Sequence, residues 1–425
     1  MKKSIILLAG LMLFLAACGR SAAPTQTVVS TDMETTAPSQ TLTPTETATA
    51  TETLTPTPTN TPTPTLTPTP SYPPAGRGPT GFEPGVNPLT GLEVDDPSLL
   101  DRRPIVIKVE NLPRSHRPQW GLSLADIVYE YYTELGATRF AAVYLGTDAE
   151  QVGPIRSGRY VDKHIVQIYK AIFVYGSAYP PVQTSFLNSS FANRLILETN
   201  ESCPGLCRVD PDGPNLLVAD TASLQDYLVE RGTDNTRQEL DGMFFQMQAP
   251  AGGEDGSQIT VRYSGAIYNR WEYDSASGRY VRYVDQQNDL TRDNEVYGKL
   301  TDRLTGDDIT ASNVVMLCAP HQHVVQRQDT EVLDIILDNS IASYLGCDGE
   351  TYAGGTGPAY LARDGQVYPV TWKRERIDSR ITLIGPDGEV FPFKPGQTWF
   401  EVIGASSTVD QQDDGAWRFT NVMGQ

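Results

Sequence analysis

Between residues 85 and 235, short apolar runs of strand length alternate with stretches of helical period; beyond 236 a two-residue period takes over. Residues 104–109 (Pro-Ile-Val-Ile-Lys-Val) predict a strand with both faces in a core. Residues 127–132 and 139–145 predict two more, joined by a turn at 134–137. Residues 157–169 predict a helix with Tyr160, Ile165, Ile168 and Tyr169 on one apolar stripe and Ser157 as its N-cap. Residues 171–175 and 216–219 read as strands and 223–230 as a helix, which makes 85–235 an α/β domain with a mixed sheet. Further on, 271–274 and 279–283 flank Ser-Ala-Ser-Gly and predict a hairpin. Apolar runs at 259–263, 314–318, 332–337, 359–363 and 366–372 continue the pattern, and Asp364-Gly365 and Asp387-Gly388 mark tight turns. Residues 236–405 are therefore expected to form a mostly-β domain, with 406–425 a polar tail. The fold class expected is α+β overall.

The first 84 residues break both patterns. Lys2 and Lys3 precede an apolar run at 5–14, and Leu15-Ala16-Ala17-Cys18 follows. This resembles the bacterial lipobox, whose cysteine is diacylated (with palmitate-like chains) and becomes the N-terminus after cleavage; an ordinary secretory signal is the competing reading. The apolar run is too short to span a bilayer. Two or three acyl chains at Cys18, each methylene contributing about 0.8 kcal/mol, would hold the protein at the cell membrane, outside the cytoplasm. Residues 19–84 are rich in Thr and Pro, a composition that cannot bury enough apolar surface to offset ordering, so a disordered linker is expected.

A formal net charge of −19 argues against nucleic acid as a partner, since phosphate binding needs a basic face. Cys18 aside, four cysteines remain: Cys203, Cys207, Cys318 and Cys347. Pairing neighbours gives one short-loop bridge and one longer staple; free thiols and a metal at the Cys-x3-Cys pair remain open. No nucleophile elbow, zinc-protease helix or phosphate loop occurs, and neither a cofactor nor a metal is expected. His321 and His323, two apart near Cys318, have zinc-like spacing but lack a third histidine nearby, and an exposed loop is the expectation there.

Several of these segments carry a family resemblance. Asn87-Pro-Leu-Thr-Gly91, Arg117-Pro-Gln-Trp-Gly-Leu-Ser-Leu-Ala-Asp126, Gly153-Pro-Ile-Arg-Ser-Gly-Arg159 and Lys394-Pro-Gly-Gln-Thr-Trp399 are similar to the YerB-like bacterial lipoproteins. The resemblance covers most of residues 85–405 and implies two domains of unknown function on a lipid anchor, without a reaction. Where the family usually has His-Asn, this chain has Pro214-Asn215, which puts any role of that histidine in doubt here.

The chemistry-bearing candidate is the Gly-Pro-Ile-Arg-Ser-Gly-Arg run. Arg156 and Arg159, with Ser157 at a helix start and Arg139 on a nearby strand, make an anion-recognition corner. The competing reading pairs the arginines internally with Glu130 and Glu134. Those two carboxylates, at an even spacing, are also the weak candidates for glycoside or peptide hydrolysis at the envelope. The favoured function is a binding or scaffolding role at the cell envelope, toward an envelope protein or an anionic glycan.

Overall fold

The computed structural model describes residues 72–423 apart from 211 and 413, so Cys18 and most of the predicted linker lie outside the described residues. The described chain is mostly β with few helices. In the first half, β1 (Ile105–Glu110), β2 (Ile127–Glu134) and β3 (Ala137–Tyr144) precede α1 (Tyr160–Ile168), β4 (Ile172–Val174), α2 (Pro180–Leu187) and β5 (Leu195–Ile196). These strands lie in the order β2-β3-β1-β4-β5, with β2 and β3 antiparallel and β4 parallel to β1. The predicted strands at 104–109, 127–132 and 139–145 correspond to β1, β2 and β3.

The sheet does not stop at β2. The strand Thr398–Gly404 pairs parallel to it, followed outward by Asn313–Ala319, Thr356–Arg363, Gln366–Lys373 and Thr382–Ile384. The two regions expected to be separate domains thus share one sheet within a single compact unit. The run at 398–404 is buried throughout. A run apolar on both faces carries no mark of which half of the chain it joins, so the shared sheet was not legible from period alone.

Alternation along β2 explains the layers. Ile127, Tyr129 and Tyr131 join the core that also takes Val161, Ile165 and Ile168 of α1 and Phe186 of α2. Val128 joins Trp399 and Ile403 in the opposite core, against Ile259, Val261, Trp271 and Tyr280 of a second sheet. That second sheet includes Gln258–Arg262, Tyr268–Asp274 and Arg279–Asp285, the last two being the predicted hairpin.

Two boundary expectations are corrected. Residues 72–84 are not a free linker: Arg77 pairs through its backbone with Phe245 at 2.8 and 2.9 Å, and Phe82 packs edge-on against the same ring. Composition averaged over the linker hid Tyr72, Arg77 and Phe82. Nor are 406–425 a polar tail, since Ala416–Thr420 runs parallel to Gln258–Arg262 and buries Trp417 and Phe419.

Candidate functional site

The Gly-Pro-Ile-Arg-Ser-Gly-Arg segment lies in extended conformation between three elements. Arg156 N donates to Lys108 O of β1 at 3.0 Å, Ile155 N to Leu217 O at 2.8 Å, and Gly158 N to Ser177 O at 2.7 Å. Its two glycines are dictated by close approach. A Cβ on Gly153 would sit 2.9 Å from Leu217 O, and one on Gly158 2.7 Å from the Phe186 ring. With the backbone clamped, the side chains of Arg156 and Ser157 project into a pocket of about 220 Å³ whose other walls include His116, Ser177, Arg208 and Asn215.

Helix α1 starts three residues later than predicted. Arg159, not Ser157, is the N-cap, and its backbone N–H donates to Asp162 Oδ2 at 2.6 Å. Ser157 Oγ instead meets Ser177 Oγ at 2.7 Å, because the segment is held extended until Gly158 clears Phe186. The anion-binding helix start expected at Ser157 is therefore absent, and the pocket rests on side chains.

The arginines separate into two groups. Arg159 and Arg139 both pair with Glu134, and Arg139 Nη1 also donates to Ser157 O at 2.6 Å. Burial pushes the Glu134 carboxyl up, but the hydrogen bond from Arg159 and the charges of Arg139 and Arg159 outweigh it and hold it below its ordinary value. Arg139 and Arg159 are thus committed to the interior, contrary to the expectation that they recognise a ligand. Arg156 differs. It pairs with neither Glu130 nor Glu134 but with Glu110, through Nε at 2.5 Å and through Nη2, and its side chain stays 45% exposed. Glu110 is buried and also meets His116 Nδ1 at 2.9 Å. Arg208 sits on the hairpin Leu206–Val209 and Leu216–Ala219, paired with both oxygens of Glu198 at 2.7 Å and donating to Asn215 O at 3.0 Å. Pro214-Asn215, the point of departure from the family pattern, therefore lines the same pocket as Arg156. Cys203 and Cys207 are bridged at the base of this hairpin, and Cys318 is bridged to Cys347.

Glu130 belongs elsewhere. It faces Glu401 across the β2 pairing, both fully buried, and Arg282 of the second sheet inserts between them. Arg282 Nη1 donates to Glu401 Oε1 at 2.7 Å, and its guanidinium lies 4.5 Å from the Trp399 ring and 4.9 Å from that of Trp271. Thr138 Oγ1 and Asn111 Nδ2 donate to Glu130 Oε1 at 2.6 and 3.0 Å. Burial raises the Glu130 pKa to about 7, with Arg282 opposing and Glu401 adding to the rise. A register shift between Tyr132 and Glu134 breaks the alternation that would have put Glu130 and Glu134 on one face. A hydrolase needs its two carboxyls open to substrate and water. Glu130 is sealed and Glu134 is saturated by arginine, so this pair cannot serve. Period and spacing missed Arg282 and Glu401 because buried charge partners lie far apart in sequence.

His321 is buried within the strand His321–Arg327 rather than on an exposed loop, and Cys318 is bridged, so the zinc-like spacing does not gather ligands. Among the described residues no group of three or more His, Cys, Asp or Glu is placed to hold a metal ion, and no helix is long and apolar enough to cross a membrane.

Comparison with known proteins places this geometry in a family. Residues 89–233 match a model described as the N-terminal domain of a protein of unknown function (DUF3048), and 259–400 match its C-terminal domain. A Bacillus subtilis (strain 168) protein named as a lipoprotein, YerB, is 28% identical over 330 residues, spanning 74% of this chain and 85% of the relative. The crystal structure of the YerB protein from Bacillus subtilis superposes with a TM-score of 0.57 at 25% identity, over 75% of this chain and 96% of that one.

Proposed function

The chain belongs to the YerB-like family of two-domain bacterial lipoproteins, and on that premise we propose that it is an envelope binding protein, anchored through a lipid on Cys18, whose Arg156 pocket recognises an anionic glycan. The observation that carries this reading is the exposure of Arg156. Its neighbours Arg139 and Arg159 are spent on Glu134, whereas Arg156 keeps 45% of its side chain in solvent, beside Ser157, Ser177 and Asn215. A guanidinium offers five donors in a planar fork, and Glu110 engages Nε and Nη2, leaving an edge that suits a carboxylate or phosphate oxygen. Arg156 and Arg208 are each balanced by a glutamate, Glu110 and Glu198, so the corner would hold an anion through the free guanidinium edge rather than through net charge.

The test is co-sedimentation of the full chain with purified wall glycan, before and after its phosphate polymers are stripped. Retention on the intact glycan, loss on the stripped one and weakening in Arg156→Lys support the reading; equal retention on both refutes it. Lysine keeps a charge for Glu110 but loses the fork. For the anchor, radiolabelled palmitate should enter the wild-type chain and not Cys18→Ser, and label in the variant would remove Cys18 as the site.

A further inference from the structure

His116 lines the same pocket as Arg156 and has no part in the reading above. It ends the single helical turn Arg114–His116, and its backbone N–H donates to Pro113 O at 3.1 Å. Both flanks of the ring are pinned, since Arg114 and Arg117 each pair with Asp285 of the second sheet, at 2.5 and 3.1 Å. This turn returns the chain to the end of β1 and brings His116 Nδ1 within 2.9 Å of Glu110 Oε2. Arg156 Nε takes the other oxygen, Oε1, at 2.5 Å. One buried carboxylate thus fixes the two groups, one on each oxygen. The contact also sets the tautomer. An ionised carboxylate only accepts, so the hydrogen it shares with the ring belongs to Nδ1. His116 Nε2 then carries a lone pair in the neutral ring and an N–H in the imidazolium. That atom has no partner among the described residues, and unlike Nε2 of His321 it is not sealed from solvent.

The ionisable residues lining the pocket are Glu110, His116, Arg156 and Arg208. Arg156 is balanced by Glu110 and Arg208 by Glu198, so with a neutral ring these groups sum to zero. Behind the ring, Arg303 Nη2 donates to His116 O at 3.0 Å, and Arg114, Arg117 and Asp285 flank the turn. The arginines keep their charge at any ordinary pH, whereas imidazole is the side chain whose charge changes between about pH 5 and 8. Protonation of His116 therefore turns a neutral lining into one of net charge +1 and converts an acceptor into a donor. A lone pair repels an anionic oxygen, and an N–H on a cation makes a charge-assisted hydrogen bond to it. We infer that His116 is a second residue of the anion site and acts as the imidazolium. Together with the free edge of Arg156 it holds a phosphodiester group of the glycan's phosphate polymer, more tightly as pH falls. The inference rests on the Arg156 reading and adds to it the chemical class of the anion and the control of its affinity.

The experiment is calorimetric titration of the full chain with the phosphate polymer released from wall glycan, from about pH 5.5 to about 7.5 at constant ionic strength. A phosphodiester keeps its single negative charge throughout that range, so the ligand does not titrate. Wild-type affinity should fall by about fivefold or more as pH rises across the range. His116→Asn keeps an N–H for Glu110 but cannot be protonated, and its affinity should stay flat near the wild-type value at the upper end. A second readout needs no variant and covers the case in which His116→Asn fails to fold. If the anion prefers the imidazolium, binding near pH 6.5 must take up protons, by reciprocity of the two equilibria. That uptake is read as a difference in binding heat between two buffers of unlike ionisation enthalpy. Binding of equal affinity at every pH, without proton uptake, would overturn this inference and leave the Arg156 reading standing. A pH dependence kept in full by His116→Asn would overturn the assignment to His116. No binding at any pH would overturn both.

Discussion

Arg156 and Arg159 are three residues apart and face opposite tasks. Arg159 is 14% exposed and pairs with Glu134, so Arg159→Ala removes charge-assisted hydrogen bonds from a partly buried carboxylate that still keeps Arg139. The expected cost is about 1–3 kcal/mol in urea unfolding, with anion binding retained. Arg156→Ala also costs stability, because Glu110 beneath it is buried and retains only His116, whereas Arg156→Lys should stay within about 1 kcal/mol of wild type. A loss in Arg156→Lys as large as in Arg159→Ala would make Arg156 a structural residue. At this scale the sequence announced that the arginines matter, since Gly-Pro-Ile-Arg-Ser-Gly-Arg is a dense run of special residues. It also offered Glu134 as a partner, which holds for Arg159 and Arg139. Glu110 escaped notice because it ends a strand read as a plain apolar run.

Elements were legible where periodicity is strong and obscure where burial is complete. β1, β2, β3 and the hairpin from Tyr268–Asp274 to Arg279–Asp285 sit where the pattern put them. α1 is shorter than predicted because Gly158 must pass Phe186 before the chain can turn helical. The final strand, Ala416–Thr420, was too short for alternation to register, yet it buries Trp417 and Phe419 and covers the edge of Gln258–Arg262. Trp417→Ala should therefore cost about 3–5 kcal/mol, the usual penalty for emptying a core indole site. A polar tail would tolerate that change, so an unaltered denaturation midpoint would remove the strand from the core.

At the scale of the molecule, the two family regions are joined by one sheet and by Arg282 between Glu130 and Glu401. Neither could be read from the chain, since the partners come from positions more than a hundred residues apart and carry no local signal. The junction has a pH signature. Glu130, raised to about 7 from an ordinary 4.5, holds its proton more tightly folded than unfolded. Its contribution to stability is whole below about pH 4.5 and is lost as pH rises through about 7. His164, pushed down to about 4 by burial, pulls the other way over part of that window, so the difference between wild type and Glu130→Gln isolates the glutamate. Thermal unfolding from pH 4.5 to 8 should show a shallower fall in the variant, and parallel curves would place the titration elsewhere. The central claim, anion recognition at Arg156, is tested most directly by removing its charge without breaking its support. In the double variant Glu110→Gln/Arg156→Gln, the exposed arginine and its buried partner lose charge together and can still hydrogen-bond each other, which avoids stranding an unpaired carboxylate. Calorimetric titration of the full chain with the phosphate polymer released from wall glycan, and with uncharged N-acetylglucosamine as control, should show binding of the polymer alone by wild type and a loss of about tenfold or more in the double variant at unchanged melting temperature. Equal affinity of both proteins for the polymer would contradict the account.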